Sequence, residues 1–113
     1  MQLPSGRVLN YRHARLDKKG IIHYHWGTLW GGAITENVVQ AIARDLLGYW
    51  IMECERRIGP VVLTAHDEVV SMVDDSVSAV RLAEMIDIIS SGPEWSQGLP
   101  LDAEGELSPC YKK

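Results

Sequence analysis

The chain has 113 residues, 46% of them hydrophobic, and a formal net charge of −4, which suits a single folded domain over the whole length and excludes a disordered polymer. No run of eighteen apolar residues occurs, and Arg7, Arg12, Arg15, Lys18 and Lys19 are not followed by an apolar segment, so neither a membrane span nor a signal peptide is encoded and a cytoplasmic protein is expected. The net charge argues against a free-standing nucleic-acid binder, because phosphate neutralisation needs a basic face. Five of the eleven basic residues nevertheless fall within the first nineteen positions, and that asymmetry suits one piece of a larger site.

In chain order, Pro4-Ser5-Gly6 reads as a turn and Arg7 to Tyr11 as a strand with a basic flank. Asp17-Lys18-Lys19-Gly20 turns the chain back. Ile21 to Trp26 then alternates Ile22, Tyr24 and Trp26 against His23 and His25, which predicts a second strand paired with the first. Gly27 to Gly32 reads as a loop carrying Trp30. From Thr35 to about Arg57, Val38, Val39, Ile42, Leu46, Leu47, Trp50, Ile51 and Cys54 recur at three- and four-residue steps, the period of a long amphipathic helix. Thr35 suits its N-cap, Glu36 its positive end, and Arg56 and Arg57 its negative end before Gly59 and Pro60. Gly48 weakens the helix by about 1 kcal/mol relative to Ala, which suggests a close packing contact there.

Two short apolar runs, Pro60 to Ala65 and Val69 to Val73, flank His66-Asp67-Glu68 and predict a hairpin with that triplet at its tip. Asp75 or Ser76 suits the cap of a second helix bearing Val77, Val80, Leu82, Met85, Ile86 and Ile89, ended by Ser90-Ser91-Gly92-Pro93. A short strand is expected near Glu106 to Tyr111. Cys54 and Cys110 are far apart and lack metal-ligand spacing, as expected of reduced thiols. These elements amount to an α+β fold, an antiparallel sheet of about four strands packed on two helices.

The triplet is the clearest candidate for chemistry. Successive residues of an extended segment point to opposite faces, so Asp67 and Glu68 do not both aim at one cation unless the turn rotates them together, and one is the ligand while the other is auxiliary. Mg²⁺ takes one or two protein carboxylates and keeps water or substrate phosphates for the rest. The tripeptide alone also describes an ordinary exposed acidic turn. Asn37, Gln40 and Arg44 share a polar stripe on the long helix, with chemistry suited to groove acceptors and phosphate, or to a plain solvated face. His23 and His25, two apart on one strand, are a weaker metal-ligand candidate.

The order Leu3-Pro4-Ser5-Gly6-Arg7, then the run from Trp30 through Thr35-Glu36-Asn37-Val38-Val39-Gln40 to Leu47, then Ala65-His66-Asp67-Glu68, Gly98-Leu99-Pro100-Leu101 and Tyr111-Lys112-Lys113 resembles the carboxy-terminal palm segment of family A DNA polymerases, most closely the phage and prophage branch. The resemblance spans nearly the whole chain. It implies that Asp67 is the motif C aspartate that coordinates catalytic Mg²⁺, that Glu68 is its acidic neighbour of lesser weight, and that His66 lies close to the primer end. It implies that Gln40 hydrogen-bonds the duplex minor groove, with Asn37 and Arg44 as less specific contacts on primer-template DNA. Ala65 departs from the larger β-branched residue usual there.

The family's other metal-binding aspartate, its nucleotide-holding fingers helix, its thumb and its proofreading domain have no counterpart in these residues. The resemblance thus implies nucleotidyl transfer only in company with the remaining segments, the chain being one piece of a split enzyme or a truncated remnant, inactive alone. The alternative is a non-catalytic oligomerising or adaptor module derived from a palm, its apolar Trp26, Trp30, Trp50 and Trp95 covered by a partner polypeptide or a second copy.

Overall fold

A computed structural model describes residues 1–112; Lys113, the end of the Tyr111-Lys112-Lys113 motif, lies outside the described residues. The class is α+β, with five strands in two antiparallel sheets and two α-helices among the described residues. Two compact units divide the chain, one from Met1 to Asp45 and one from Leu46 onward, with the boundary inside the long helix.

In the first unit, Arg7 to Tyr11 forms no strand; Gln2 and Val8 make an isolated bridge across the Pro4-Ser5-Gly6 turn. The reason is that Arg7 is committed elsewhere. Its Nε donates to Asp45 Oδ1 at 2.6 Å and its Nη2 to the Ala41 carbonyl at 3.0 Å, while the Ser5 hydroxyl donates to the other Asp45 oxygen. Charge-assisted bonds of this kind fix the segment to a helix face in place of a sheet ladder. The strand that pairs with the second one is instead Arg15–Leu16, β1.

β1 pairs with β2, Ile22–Tyr24, and β2 with β3, Gly27–Leu29, so part of the expected 27–32 loop is a strand. The Asp17-to-Gly20 turn forms as predicted. Asp17 Oδ1 accepts the Lys19 and Ile21 amides at 2.8 and 2.9 Å, and Oδ2 meets His23 Nε2 at 2.8 Å. The His23 hydrogen bond, then the Ile21 amide, holds the Asp17 carboxyl below its ordinary range. A lowered carboxyl contributes stability above its unfolded pKa and loses it as pH falls through the folded value. Leu3, Leu29 and Ala41 are the buried apolar residues of this unit.

The long helix, α1, runs Gly31–Arg57, four residues earlier than Thr35 predicts. Thr35 is not the cap: its hydroxyl donates back to the Gly31 carbonyl at 2.9 Å, the bonding that serine and threonine adopt inside helices. Glu36 accordingly lies beyond the first turn, whereas Arg56 and Arg57 occupy the last one as expected. The early start depends on Gly32, where any Cβ would overlap the Trp30 indole folded against it.

In the second unit β4, Val61–Ala65, pairs with β5, Glu68–Ser71, as the predicted hairpin. A register shift between Val61 and Leu63 marks a bulge at Val62. Helix α2, Ser78–Ile89, is preceded by a 3₁₀ turn at Asp75–Val77 that Asp74 caps, its Oδ1 accepting the Ser76 amide at 2.9 Å; α2 itself starts after Val77 with no side-chain cap, so neither Asp75 nor Ser76 caps it. Buried Leu46, Leu47, Cys54 and Ile88 form the apolar interior, and burial raises the Cys54 thiol above its ordinary pKa, which makes it a poor nucleophile. Trp50 donates from Nε1 to the Ser91 carbonyl at 2.6 Å, and Arg81 donates to the Arg57 carbonyl at 3.2 Å at the end of α1. Among the described residues no strand forms near Glu106 to Tyr111.

Gly48 does not mark a close contact. No heavy atom lies within 4 Å of a Cβ built there, beyond its chain neighbours and its own helix backbone. Gly48→Ala is therefore expected to stabilise the protein by about 0.5–1 kcal/mol, the helix-propensity gain without a steric cost; urea denaturation with an unchanged slope is the check.

Candidate functional site

Pairing of Ala65 with Glu68 leaves His66 and Asp67 as a two-residue reversal. Glu68, expected in the turn, is thus the first residue of β5. His66 has φ +54°, and Asp67 is not among the residues of positive φ. Positive φ at only the first central position is the sign pattern of a type II′ turn, where glycine is the usual occupant. A histidine there holds its backbone at a local cost.

All three members of the triplet are exposed, but their surroundings differ. Glu68 Oε2 accepts the Tyr111 hydroxyl at 2.8 Å. That hydrogen bond, with lesser help from burial, raises the phenol above its ordinary pKa. No described residue hydrogen-bonds or ion-pairs with the Asp67 side chain, so Asp67 keeps its oxygens free while Glu68 is engaged by the tail. The structure therefore separates the two carboxylates into a free one and an anchored one.

Asn37, Gln40 and Arg44 lie exposed on the part of α1 that belongs to the first unit. They line an open groove of about 340 Å³ together with Arg7, Leu9, Asn10, Tyr11 and Ala41. Asn37 donates to the Tyr11 hydroxyl at 3.1 Å, and Gln40 donates to Glu36 at 3.1 Å. Arg44 has no carboxylate within 4.0 Å among the described residues, so its guanidinium is available to an external anion. The first unit carries six Lys and Arg against three Asp and Glu, the reverse of the chain as a whole, and a basic groove edged by amides is chemistry suited to phosphate and base-edge acceptors.

Sequence reasoning missed two participants. Tyr11 reads as a strand residue and becomes a groove wall; Tyr111 reads as part of a strand and becomes the partner of Glu68. Tyr111 belongs to a family-like motif, whereas nothing in the sequence singled out Tyr11, since neither lies in a periodic segment. His23 is occupied by Asp17, His25 lies in the turn after β2, and among the described residues no group of three His, Cys, Asp or Glu is placed to hold a metal ion.

The chain is similar along its entire length to a DNA polymerase of Bacillus phage SP02, with 35% identity over 127 aligned positions that span 100% of this chain and 19% of the relative. It therefore covers about a fifth of the length of the curated relative it matches, and it is homologous to a segment of a phage DNA polymerase. No family model matches the chain, and no solved structure matches it.

Replacing His66 by glycine removes the cost of a side chain at positive φ. His66→Gly is expected to raise stability by about 1 kcal/mol, read as a higher urea midpoint. An unchanged or lower midpoint would mean that the imidazole makes a compensating contact.

Proposed function

We propose that this chain supplies the motif C palm segment of a family A type DNA polymerase, acting in DNA replication as part of a Mg²⁺-dependent nucleotidyltransferase whose other catalytic groups lie on further polypeptide. The observation that carries the reading is a tight hairpin that presents a free carboxylate, Asp67, beside an anchored one, Glu68, in a chain homologous along its length to a phage DNA polymerase.

The donor set fits a hard divalent cation. Mg²⁺ requires near-octahedral oxygen ligation and retains several waters, so one or two carboxylates from a rigid element suffice. Asp67 would hold it, with Glu68 as the auxiliary carboxylate. A bound Mg²⁺ neutralises charge developing on the transferred phosphoryl group and favours the attacking hydroxyl. Asp67, on a two-residue turn with little freedom, fixes where that charge is placed. Tyr111 holds Glu68 to one orientation through its hydroxyl. His66, next to Asp67 and exposed, offers an imidazole toward the primer end. On the first unit Gln40, Asn37 and Arg44 would meet primer-template DNA, the amides at minor-groove acceptors and the guanidinium at phosphate. The second metal aspartate and the groups that hold the incoming nucleotide come from other segments, and without them transition-state stabilisation is lost. The cytoplasm of a phage-bearing bacterial cell is the matching location; among the described residues no helix is long and apolar enough to cross a membrane.

A second reading rests on the exposed apolar surface. Met52 and Met72 are 73% and 67% exposed, and an open groove of about 490 Å³ runs between α1 and β4, lined by Ile51, Met52, Val61, Val62 and Leu63 with Glu55 and Thr64 as its polar members. A palm-derived module that has lost catalysis would use this face to self-associate as a homo-oligomer or to bind a partner polypeptide. A concentration-independent monomer in sedimentation would remove this reading.

The polymerase reading predicts Mg²⁺-dependent primer extension when the chain is combined with a polypeptide carrying the missing aspartate and nucleotide-binding helix. Asp67→Ala is expected to lower that extension by at least about a thousandfold, the scale of losing a principal charge-stabilising group. Glu68→Ala should cost far less. Extension that survives Asp67→Ala would overturn the assignment.

A further inference from the structure

The three-stranded sheet ends in a feature that the polymerase reading does not use. Tyr24 pairs with Gly27, so His25 and Trp26 are the two-residue turn between β2 and β3. Trp26 is 81% exposed, the largest value among the exposed apolar side chains. Its indole meets the His25 ring edge-on, with centroids 4.6 Å apart, and His25 in turn lies 5.9 Å from the ring of His13. Three rings thus run in a row, with the indole outermost.

The surroundings are basic. The His25 amide donates to the Arg12 carbonyl at 2.9 Å, which places the Arg12 backbone beside the turn, and Arg15 pairs with His23 on the neighbouring strand. Between Tyr11 and Trp30 the single carboxylate is Asp17, and His23 already engages it. An exposed indole on a segment that carries Arg12, Arg15, Lys18 and Lys19 against one engaged carboxylate matches a base with its phosphates. Stacking accepts any base because each has a π-face, and flanking cations follow the backbone.

We propose that the β2–β3 turn is a single-stranded DNA contact, in which Trp26 stacks on one unpaired base while Arg12 and Arg15 meet the adjoining phosphates. The choice of DNA over RNA rests on the polymerase reading; the stacking platform itself does not. The contact is distinct from the α1 groove, which presents amides suited to a duplex edge.

The test is fluorescence anisotropy of a labelled twelve-nucleotide oligothymidylate, and of a labelled DNA duplex, with the full chain and its variants. Trp26→Ala is expected to weaken oligothymidylate binding about tenfold or more and to leave duplex binding unchanged, while Trp26→Tyr retains most of the affinity. Arg12→Ser with Arg15→Ser should weaken binding and flatten its salt dependence. Because Trp26 is exposed, the alanine variant folds, and an unaltered circular dichroism melt confirms it. Equal oligothymidylate affinity of wild type and Trp26→Ala would overturn the proposal, as would a self-association that Trp26→Ala abolishes while DNA binding is unaffected. Preference for oligouridylate would overturn the choice of DNA. Loss of binding in Trp26→Ala alongside failed primer extension would leave this contact standing and count against the polymerase reading alone.

Discussion

The register of one hairpin governs the functional account. Ala65 opposite Glu68 leaves two residues to reverse the chain, and a reversal that short gives Asp67 almost no conformational freedom. A slip of one residue would send the alternate faces of β4 and β5 the wrong way. The bulge at Val62 lies at the far end of the ladder, so the irregularity is kept away from the tip. The positive φ of His66 is the local cost of this arrangement, and strain of this kind is found where a side chain must be held rather than merely tolerated.

The first unit is organised by a different constraint, the anchoring of the amino-terminal segment through Arg7 and Ser5 to Asp45. Asp45 is largely covered at 11% side-chain exposure while Arg7 is 45% exposed, so the carboxylate is the fixed element and the arginine closes over it. Removing Asp45 would leave the Arg7 Nε and the Ser5 hydroxyl without their shared acceptor and loosen the segment that carries Tyr11 to the groove. The groove exists because residues distant in sequence are tied to consecutive turns of one helix.

Much of this was legible in the residues themselves. Apolar residues at three- and four-residue steps located α1 and α2, and the β-branched runs flanking the triplet located β4 and β5. Termini were less legible. Thr35 has the chemistry of an N-cap, yet a Gly-Gly pair lets the helix begin a turn earlier under the Trp30 ring, a choice decided by packing. Arg7 to Tyr11 has the composition of a strand, yet an ion pair to a helix won. The pairing of Tyr111 with Glu68 spans 43 positions, and no local pattern encodes it. The His66-Asp67-Glu68 triplet and the Asn37, Gln40 and Arg44 stripe stood out from residue chemistry and spacing, and the family resemblance added their roles; the structure adds the difference in surroundings between Asp67 and Glu68.

The most direct test of the central claim is a segment exchange. In the DNA polymerase of Bacillus phage SP02, the matching fifth of the chain would be replaced by these residues, and Mg²⁺-dependent primer extension by the purified chimera measured against the same chimera carrying Asp67→Asn. Extension by the first and its loss in the second is the result expected of a working palm segment. A folded chimera that binds primer-template DNA without extending it, or one whose extension is indifferent to Asp67, would contradict the account.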